Sequence, residues 1–167
     1  MRISWRAIIV VAALALAGCG FHLREQAQLP ASLTRLHLAI ADPGSLLHRD
    51  LPDALERAGA QVEDAAGPGI ATLRIPLSTL APETLSVGAT ARVREYTMRY
   101  RVEIEAVDAN GAVVLPRQLI ELSRDYTFDE TQALGVAAQE DELRKQLQRD
   151  MVQAILRRLA ALGRPTV

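Results

Sequence analysis

Between Glu95 and Val107, apolar and polar residues alternate almost without interruption. Tyr96, Met98, Tyr100, Val102, Ile104 and Ala106 fall on one parity; Glu95, Thr97, Arg99, Arg101, Glu103 and Glu105 fall on the other. Successive side chains of a strand point to opposite faces, so this pattern predicts a strand about 40 Å long with one apolar and one charged face. Asp108-Ala109-Asn110-Gly111 supplies a turn in which Asn-Gly readily takes positive φ, and Val113 to Phe128 returns as the antiparallel partner. Pro116 has no N–H to give the ladder and predicts a bulge or an edge position in the returning arm.

Upstream, Leu33 to Ile40 carries Leu36, Leu38 and Ile40 on one parity and reads as a half-buried strand, closed by a turn at Asp42-Pro43-Gly44. From Ser45 to Ala58 the apolar positions Leu46, Leu47, Leu51, Ala54, Leu55 and Ala58 recur at spacings of three and four, which is the period of a helix with one apolar side; Gly59 stops it. Pro52 is expected to kink this helix or to delay its start to about Asp50. Ala60 to Glu63 and Ala71 to Leu80 continue in extended form. In the latter, Leu73, Ile75 and Leu77 are expected on one face, with Pro76 marking an edge or bulge. The last element is a helix from about Thr131 to Leu162, with the ladder Leu143, Leu147, Met151, Ile155 and Leu159 joined by Val152, Leu156 and Leu162. Asp129 with Gln132 suits its N-terminus, Gly163 and Pro165 its end, and Glu140–Arg144 and Asp141–Lys145 pair favourably on its polar side. Each element has one apolar side. The order therefore predicts an α+β two-layer sandwich, two helices packed on one face of a largely antiparallel or mixed four-stranded sheet. There is no internal repeat, low-complexity stretch or second domain.

The start of the chain has a different character. A short cationic segment, Met1 to Arg6, precedes an apolar run from Ala7 to Ala17 that ends in Gly18-Cys19-Gly20. About eleven residues at 1.5 Å each span roughly 17 Å, short of the roughly 30 Å hydrocarbon core of a bilayer, so the run reads as a secretory leader. Leu16-Ala17-Gly18-Cys19 resembles the bacterial lipoprotein signal, in which small residues admit a peptidase ahead of a thiol that carries diacylglycerol. Cys19 is then the expected lipidation site and mature N-terminus, bearing a diacylglycerol and an N-acyl chain; no other cofactor is expected. Several chains, at about 0.8 kcal/mol per buried CH₂, anchor far more firmly than one. By lipoprotein sorting rules, Gly20 after the cysteine, where an aspartate would favour retention at the inner membrane, points to the outer membrane. The expected organisation is a signal peptide over residues 1–18, a lipidated tether over 19–30, a single domain over 31–163 and a tail over 164–167.

Composition narrows the chemistry. The 167 residues are 49 % hydrophobic but only 4 % aromatic, which predicts an aliphatic core, and 23 % charged, which excludes a wholly disordered chain. Removing Arg2 and Arg6 with the leader leaves 17 basic against 20 acidic residues, a net charge of −3, so nucleic acid is not an expected partner. One cysteine forms no intrachain disulfide and no cysteine-rich metal site. His22, His37 and His48 lack the spacing of paired ligands, there is no nucleophile elbow or phosphate loop, and no metal or catalytic residue is expected. Asp125, Asp129 and Glu130 cluster after the returning strand, but capping the long helix accounts for Asp129 and Glu130 better than paired-carboxylate hydrolysis does. The arginines are more suggestive. Arg92 and Arg94 share the parity of the apolar face just before it begins, and Arg124 falls on the side of Ile120, Leu122, Tyr126 and Phe128 if the pleat is regular. A guanidinium there either pairs with a structural partner or serves as a ligand for phosphate, whose geometry its fork matches. Arg99 and Arg101 are expected to pair with Glu103 and Glu105 or across the hairpin.

Cys19-Gly20-Phe21-His22-Leu23-Arg24 directly after such a leader resembles the start of the lipopolysaccharide-assembly lipoprotein family LptE. The resemblance continues through Leu29-Pro30, Glu95-Tyr96, Arg124-Asp125-Tyr126, Ala133-Leu134 and Glu140 into the final amphipathic helix. It implies a non-enzymatic outer-membrane lipoprotein that plugs the LptD β-barrel, supports its assembly and helps deliver lipopolysaccharide to the cell surface. Lipopolysaccharide itself is an implied ligand, with Arg92, Arg94 and Arg124 as its candidate contacts. The outer membrane would be reached through the lipid anchor, with the domain on the periplasmic side and in the barrel lumen. Ala133-Leu134-Gly135-Val136 departs from the Ala-Leu-Ala-Lys that family members often carry, so a contact made by that lysine does not transfer. An accessory lipoprotein of another envelope transport or assembly machine is the alternative reading.

Overall fold

The computed structural model describes residues 29–87, 93–129 and 133–163. After a 3-10 turn at Ala31–Leu33 come β1 (Arg35–Ile40), α1 (Leu47–Arg57), β2 (Gln61–Glu63), β3 (Ala71–Val87), β4 (Val93–Val107), β5 (Val113–Asp129) and α2 (Ala133–Ala161). The sheet order is β2-β1-β3-β4-β5. β1 runs parallel to both β2 and β3, whereas β3, β4 and β5 form an antiparallel meander. The expected α+β sandwich is present with five strands instead of four. The extra strand is the extended segment before Glu63, whose three residues align beside Arg35, Leu36 and His37.

Both helices press their apolar sides onto one face of this sheet. Leu36, Leu73, Ile75, Met98, Tyr100, Val102, Ile104, Ala106 and Ile120 meet Leu47, Leu51, Leu55, Leu147, Met151, Ile155 and Leu159 in a single core. Each such aliphatic side chain contributes roughly 1.5–3 kcal/mol by leaving water. The alternating strand reads as expected: the apolar row of β4 is buried from Met98 to Ala106.

Two prolines shift side-chain parity. Between Arg74 and Leu77 the register of β3 gains a residue relative to β4, so Ser78 and Leu80, not Leu77, continue the inward row of Leu73 and Ile75. Leu77 was expected beside Ile75; the bulge at Pro76 turns it to the opposite face, level with Glu103. Pro116 acts likewise in β5, where the ladder passes from Leu115 opposite Ala106 to Gln118 opposite Ile104. Pro52 does not delay α1. The helix starts at Leu47, and the proline sits in its second turn, at the cost of one N–H that would have met the His48 carbonyl.

The domain has two poles. Leu29 donates its N–H to the Ala58 carbonyl at 3.4 Å, and a Cβ at Gly163 would lie 3.3 Å from that of Pro30, so the start of the described chain and the ends of both helices share one pole. The Asp108–Gly111 turn lies there too, where Asp108, Ala109 and Asn110 line one cleft with Ala31, Ser32 and Thr34; within the turn, Asp108 Oδ1 accepts the N–H groups of Asn110 and Ala112, both at 2.9 Å, and Gly111 takes φ 84°. The first residues of β4 and the last of β5 lie at the other pole, about 50 Å away along fifteen residues of strand. The pairing of Asp129 with Gln132 falls outside the described residues.

Candidate interaction surfaces

The sheet face away from the helices is a lattice of opposite charges. On β4, Arg99 and Arg101 each reach Glu83 of β3 and Glu121 of β5: Arg99 Nε to Glu83 at 2.8 Å, Arg101 Nη1 to Glu83 at 3.2 Å and Arg101 Nε to Glu121 at 2.7 Å, with a further close contact from Arg99 to Glu121. Nearer the turn, Arg74 of β3 lies 3.5 Å from Glu105, and Arg117 of β5 lies 3.9 Å from Glu103 and 3.7 Å from Glu105. Arg99 and Arg101 thus pair across the sheet with Glu83 and Glu121, and not with Glu103 and Glu105 along their own strand. The sharing has an electrostatic signature. Hydrogen bonds from Arg101 and Arg99 hold the Glu121 carboxyl below its usual range, and the bonds that Arg99 donates to Glu121 and Glu83 raise its own guanidinium.

A second cluster binds the far half of the hairpin to α2. The rings of Tyr96 and Tyr126 stack at 5.6 Å, and the Tyr126 hydroxyl donates to Glu140 at 2.7 Å. Glu140 in turn accepts from Arg144 at 3.0 Å, and Arg144 also donates to Asp141 at 3.0 Å. Burial first, and the bond to Glu140 second, push the Tyr126 phenol well above the ordinary tyrosine value, so it remains a neutral donor. On the opposite face Thr97, itself buried, donates to Asp125 at 2.6 Å. Buried Gln148 donates to the Leu46 carbonyl at 3.2 Å and to Asp50, which ties the two helices together.

These contacts locate the candidate residues. Arg124 lies level with Met98 and donates to Asp150 of α2 at 2.9 Å; half exposed, it is a paired arginine at the margin of the helix-covered face. In the strand register Arg94 lies level with Phe128 and Val87, at the pole away from Leu29. Cys19, His22, Arg92 and Glu130 fall outside the described residues. His37 and His48 each meet a backbone carbonyl, of Glu63 and Asp42, at 3.1 Å. Val136 is buried in the core. The sequence pattern did not disclose Glu83 and Asp150 as partners: Pro82 and the bulge at Leu85 hide the outer half of β3, and Asp150 has the unremarkable spacing of any exposed helical acid. Among the described residues, no group of three His, Cys, Asp or Glu side chains is placed to hold a metal, and no helix is long and apolar enough to cross a membrane.

A small α+β domain with helices on one side of its sheet and a broad, internally paired charged surface on the other is the class defined here. The chain belongs to the LptE family: the model described as "Lipopolysaccharide-assembly" matches residues 33–159. It is 28 % identical to the LPS-assembly lipoprotein LptE of Pectobacterium atrosepticum over 157 residues, covering 93 % of this chain and 84 % of that protein. It is 29 % identical to that of Yersinia pestis strain Pestoides F over 153 residues, covering 91 % and 73 %. Among solved structures, an uncharacterized lipoprotein B from Nitrosomonas europaea superposes with a TM-score of 0.71 at 33 % identity, covering 85 % of this chain and 91 % of that one. The rare lipoprotein B from Shewanella oneidensis gives 0.64 at 28 % identity, covering 76 % and 94 %. The chain is thus a lipoprotein-family member of lipopolysaccharide assembly.

Proposed function

We propose that this protein is a non-enzymatic outer-membrane lipoprotein, anchored through acyl chains on Cys19, that fills the lumen of the LptD β-barrel and helps it assemble and deliver lipopolysaccharide. The observation that carries this reading is the paired-charge face of β3, β4 and β5. Barrel lumens are wet and polar, and a surface whose charges already satisfy one another sits there without stranding a charge on either side. The two poles support the same orientation. The described chain starts at one pole and β4 starts at the other, with Arg94 in its first residues and Arg92 just before it in the sequence, about 50 Å away, which exceeds the roughly 25 Å apolar band of a barrel. A domain held by lipid in the inner leaflet therefore presents these arginines toward the outer leaflet, where the phosphates of lipopolysaccharide match the guanidinium fork. Arg124, already bonded to Asp150, joins them only by leaving that partner.

The test is purification of the full lipidated chain from detergent-solubilised outer membranes. LptD is expected as its stoichiometric partner; recovery with a different envelope machine and without LptD would establish the alternative, an accessory lipoprotein. Replacing Arg92 and Arg94 together with alanine is expected to weaken lipopolysaccharide binding while the melting temperature stays within a few degrees. Parallel loss of both would make these arginines structural.

A further inference from the structure

Two proline bulges each turn one leucine onto the charged face, and they do so at the same level of the sheet. In β3 the pleat that buries Leu73 and Ile75 would bury Leu77 next, and the bulge at Pro76 turns it outward. In β5 the pleat that buries Leu115 would bury Leu119, but the slip between Leu115 and Gln118 hands the inward row to Ile120 instead. Leu77 and Leu119 are both register partners of Glu103, one on either side of β4. Neighbouring strands lie about 4.8 Å apart, so the two leucines stand about 10 Å from one another across a single glutamate. Leu77 is half-buried, and Leu119 is 50 % exposed.

The rows on either side are charged. Arg74, Glu105 and Arg117 lie toward the turn, and Arg101 with Glu121 lies toward the other pole. The leucines thus interrupt the ion lattice for one row, and a rim of satisfied polar groups around an apolar centre is the layout in which a single anchor residue binds with water excluded. Leu85 and Val113 are about as exposed, but they lie near strand ends. Glu103 adds a polar requirement. Its one cation is Arg117, at 3.9 Å, and it accepts no hydrogen bond among the described residues. Whatever covers the leucines takes water from this carboxylate and has to donate to it in return. A phenylalanine or an aliphatic side chain brings no donor, an acid repels Glu103, and a cation meets Arg101 and Arg117 in the flanking rows. Tyrosine and tryptophan bring a flat ring for the space between the leucines and an O–H or N–H at its edge.

We propose that Leu77, Glu103 and Leu119 form an anchor site for one tyrosine or tryptophan side chain of the partner that covers the charged face, its ring packed between the leucines and its O–H or N–H donated to the Glu103 carboxylate. That this partner is the wall of the LptD lumen rests on the function proposed above; the chemistry of recognition is read from this face alone.

The full lipidated chain is produced together with LptD, and dissociation of the barrel from it is followed in detergent at rising urea concentration. Leu119→Ser is expected to weaken retention of the barrel by about tenfold or more, while the melting temperature of the free chain stays within a few degrees because the side chain is already half in water. Glu103→Ala is expected to weaken retention too, whereas Leu85→Ser and Val113→Ser leave it unchanged. A second measurement needs no barrel. The free full chain, with leucine methyls labelled, is titrated with N-acetyl-tyrosinamide and N-acetyl-phenylalaninamide. Saturable shifts are expected at the Leu77 and Leu119 methyls, about threefold tighter for the tyrosine compound, with Glu103→Ala removing the difference. Retention unchanged in Leu119→Ser, retention lowered equally by Leu85→Ser, or shifts spread evenly over all leucine methyls would overturn the proposal. If LptD binds every variant alike, the anchor site fails and the proposed function stands. If LptD does not bind the unaltered chain, that function fails, and the titration alone decides the anchor site.

Discussion

Replacing Tyr126 with phenylalanine deletes one oxygen from the junction between β5 and α2 and leaves everything else in place. The ring stays buried and stacked on Tyr96, so the area removed from water hardly changes. What is lost is the 2.7 Å bond to the Glu140 carboxylate. A hydrogen bond to a charged group contributes about 1.5–3 kcal/mol. Glu140 keeps Arg144 and part of its solvent, which places the expected loss near the lower end, at about 1.5–2 kcal/mol. For a domain of roughly 130 residues the unfolding entropy is about 0.27 kcal/mol/K, so the melting temperature should fall by about 5–7 °C. The loss also depends on pH with a definite sign. The folded phenol has a raised pKa, so it binds its proton more tightly than the unfolded chain does. Its contribution is complete below the ordinary tyrosine value of about 10 and is lost as pH climbs from there toward the folded value. The gap between wild type and Tyr126→Phe should therefore narrow above about pH 10; the raised Tyr100 is common to both proteins and cancels. Urea unfolding at neutral and alkaline pH, in a double-mutant cycle with Glu140→Gln, measures both effects. A neutral-pH difference below about 0.5 kcal/mol, or zero coupling to Glu140, would refute the assignment of this bond as the junction.

Cys19→Ala should abolish incorporation of a labelled fatty acid while leaving the melting temperature of the domain unchanged; a variant that still takes up label has its lipid elsewhere. Leu147→Ala truncates a fully buried contact of α2 with the sheet and should cost about 2–5 kcal/mol in urea unfolding; a cost well under 1 kcal/mol would mean that α2 does not pack as described. The backbone N–H groups of Ala112 and Asn110 hold the Asp108 carboxyl below its usual range. Its stabilisation should be present above the unfolded value of about 3.9 and lost as pH falls through the depressed folded value. Asp108→Asn should flatten that part of the acid unfolding profile, and an unchanged profile would show that the turn does not depend on the carboxylate.

The parts of the fold that were legible in the sequence are those in which one physical period dominates. β4 announced itself because its strict two-residue alternation has a single solution, one face in and one out, and α2 because its apolar ladder holds over several turns. Glycine placement worked for the same local reason: Gly59 and Gly111 occupy positive φ where the chain must turn. Legibility failed where pairing across the sheet decides the outcome. Three residues of β2 are strand only because β1 lies beside them, and the outer half of β3 has no alternation because a bulge places Leu85 out of register. Alternation alone puts Leu77 on the face of Ile75, because no pattern of residue types records the one residue of phase that the bulge at Pro76 takes up. At Arg124 the residue pattern alone fits both a structural pair and a phosphate ligand. Its partner, Asp150, is twenty-six residues away, and only the fold brings the two together.

The charged face gives the clearest case of structure changing what composition means. Arginines along β4 suggest a surface that recruits phosphates, yet four arginines (Arg74, Arg99, Arg101 and Arg117) meet four glutamates (Glu83, Glu103, Glu105 and Glu121) across three strands. A phosphate approaching this face must break existing pairs to gain new ones, and exchanging one exposed ion pair for another yields little. A polar wall makes no such demand, because water and neutral side chains solvate the lattice without dissolving it. Affinity for an anionic lipid therefore has to come from arginines outside the lattice. Of the candidate contacts, Arg124 is already committed to Asp150, so an anionic ligand would have to break that pair before it could use this guanidinium.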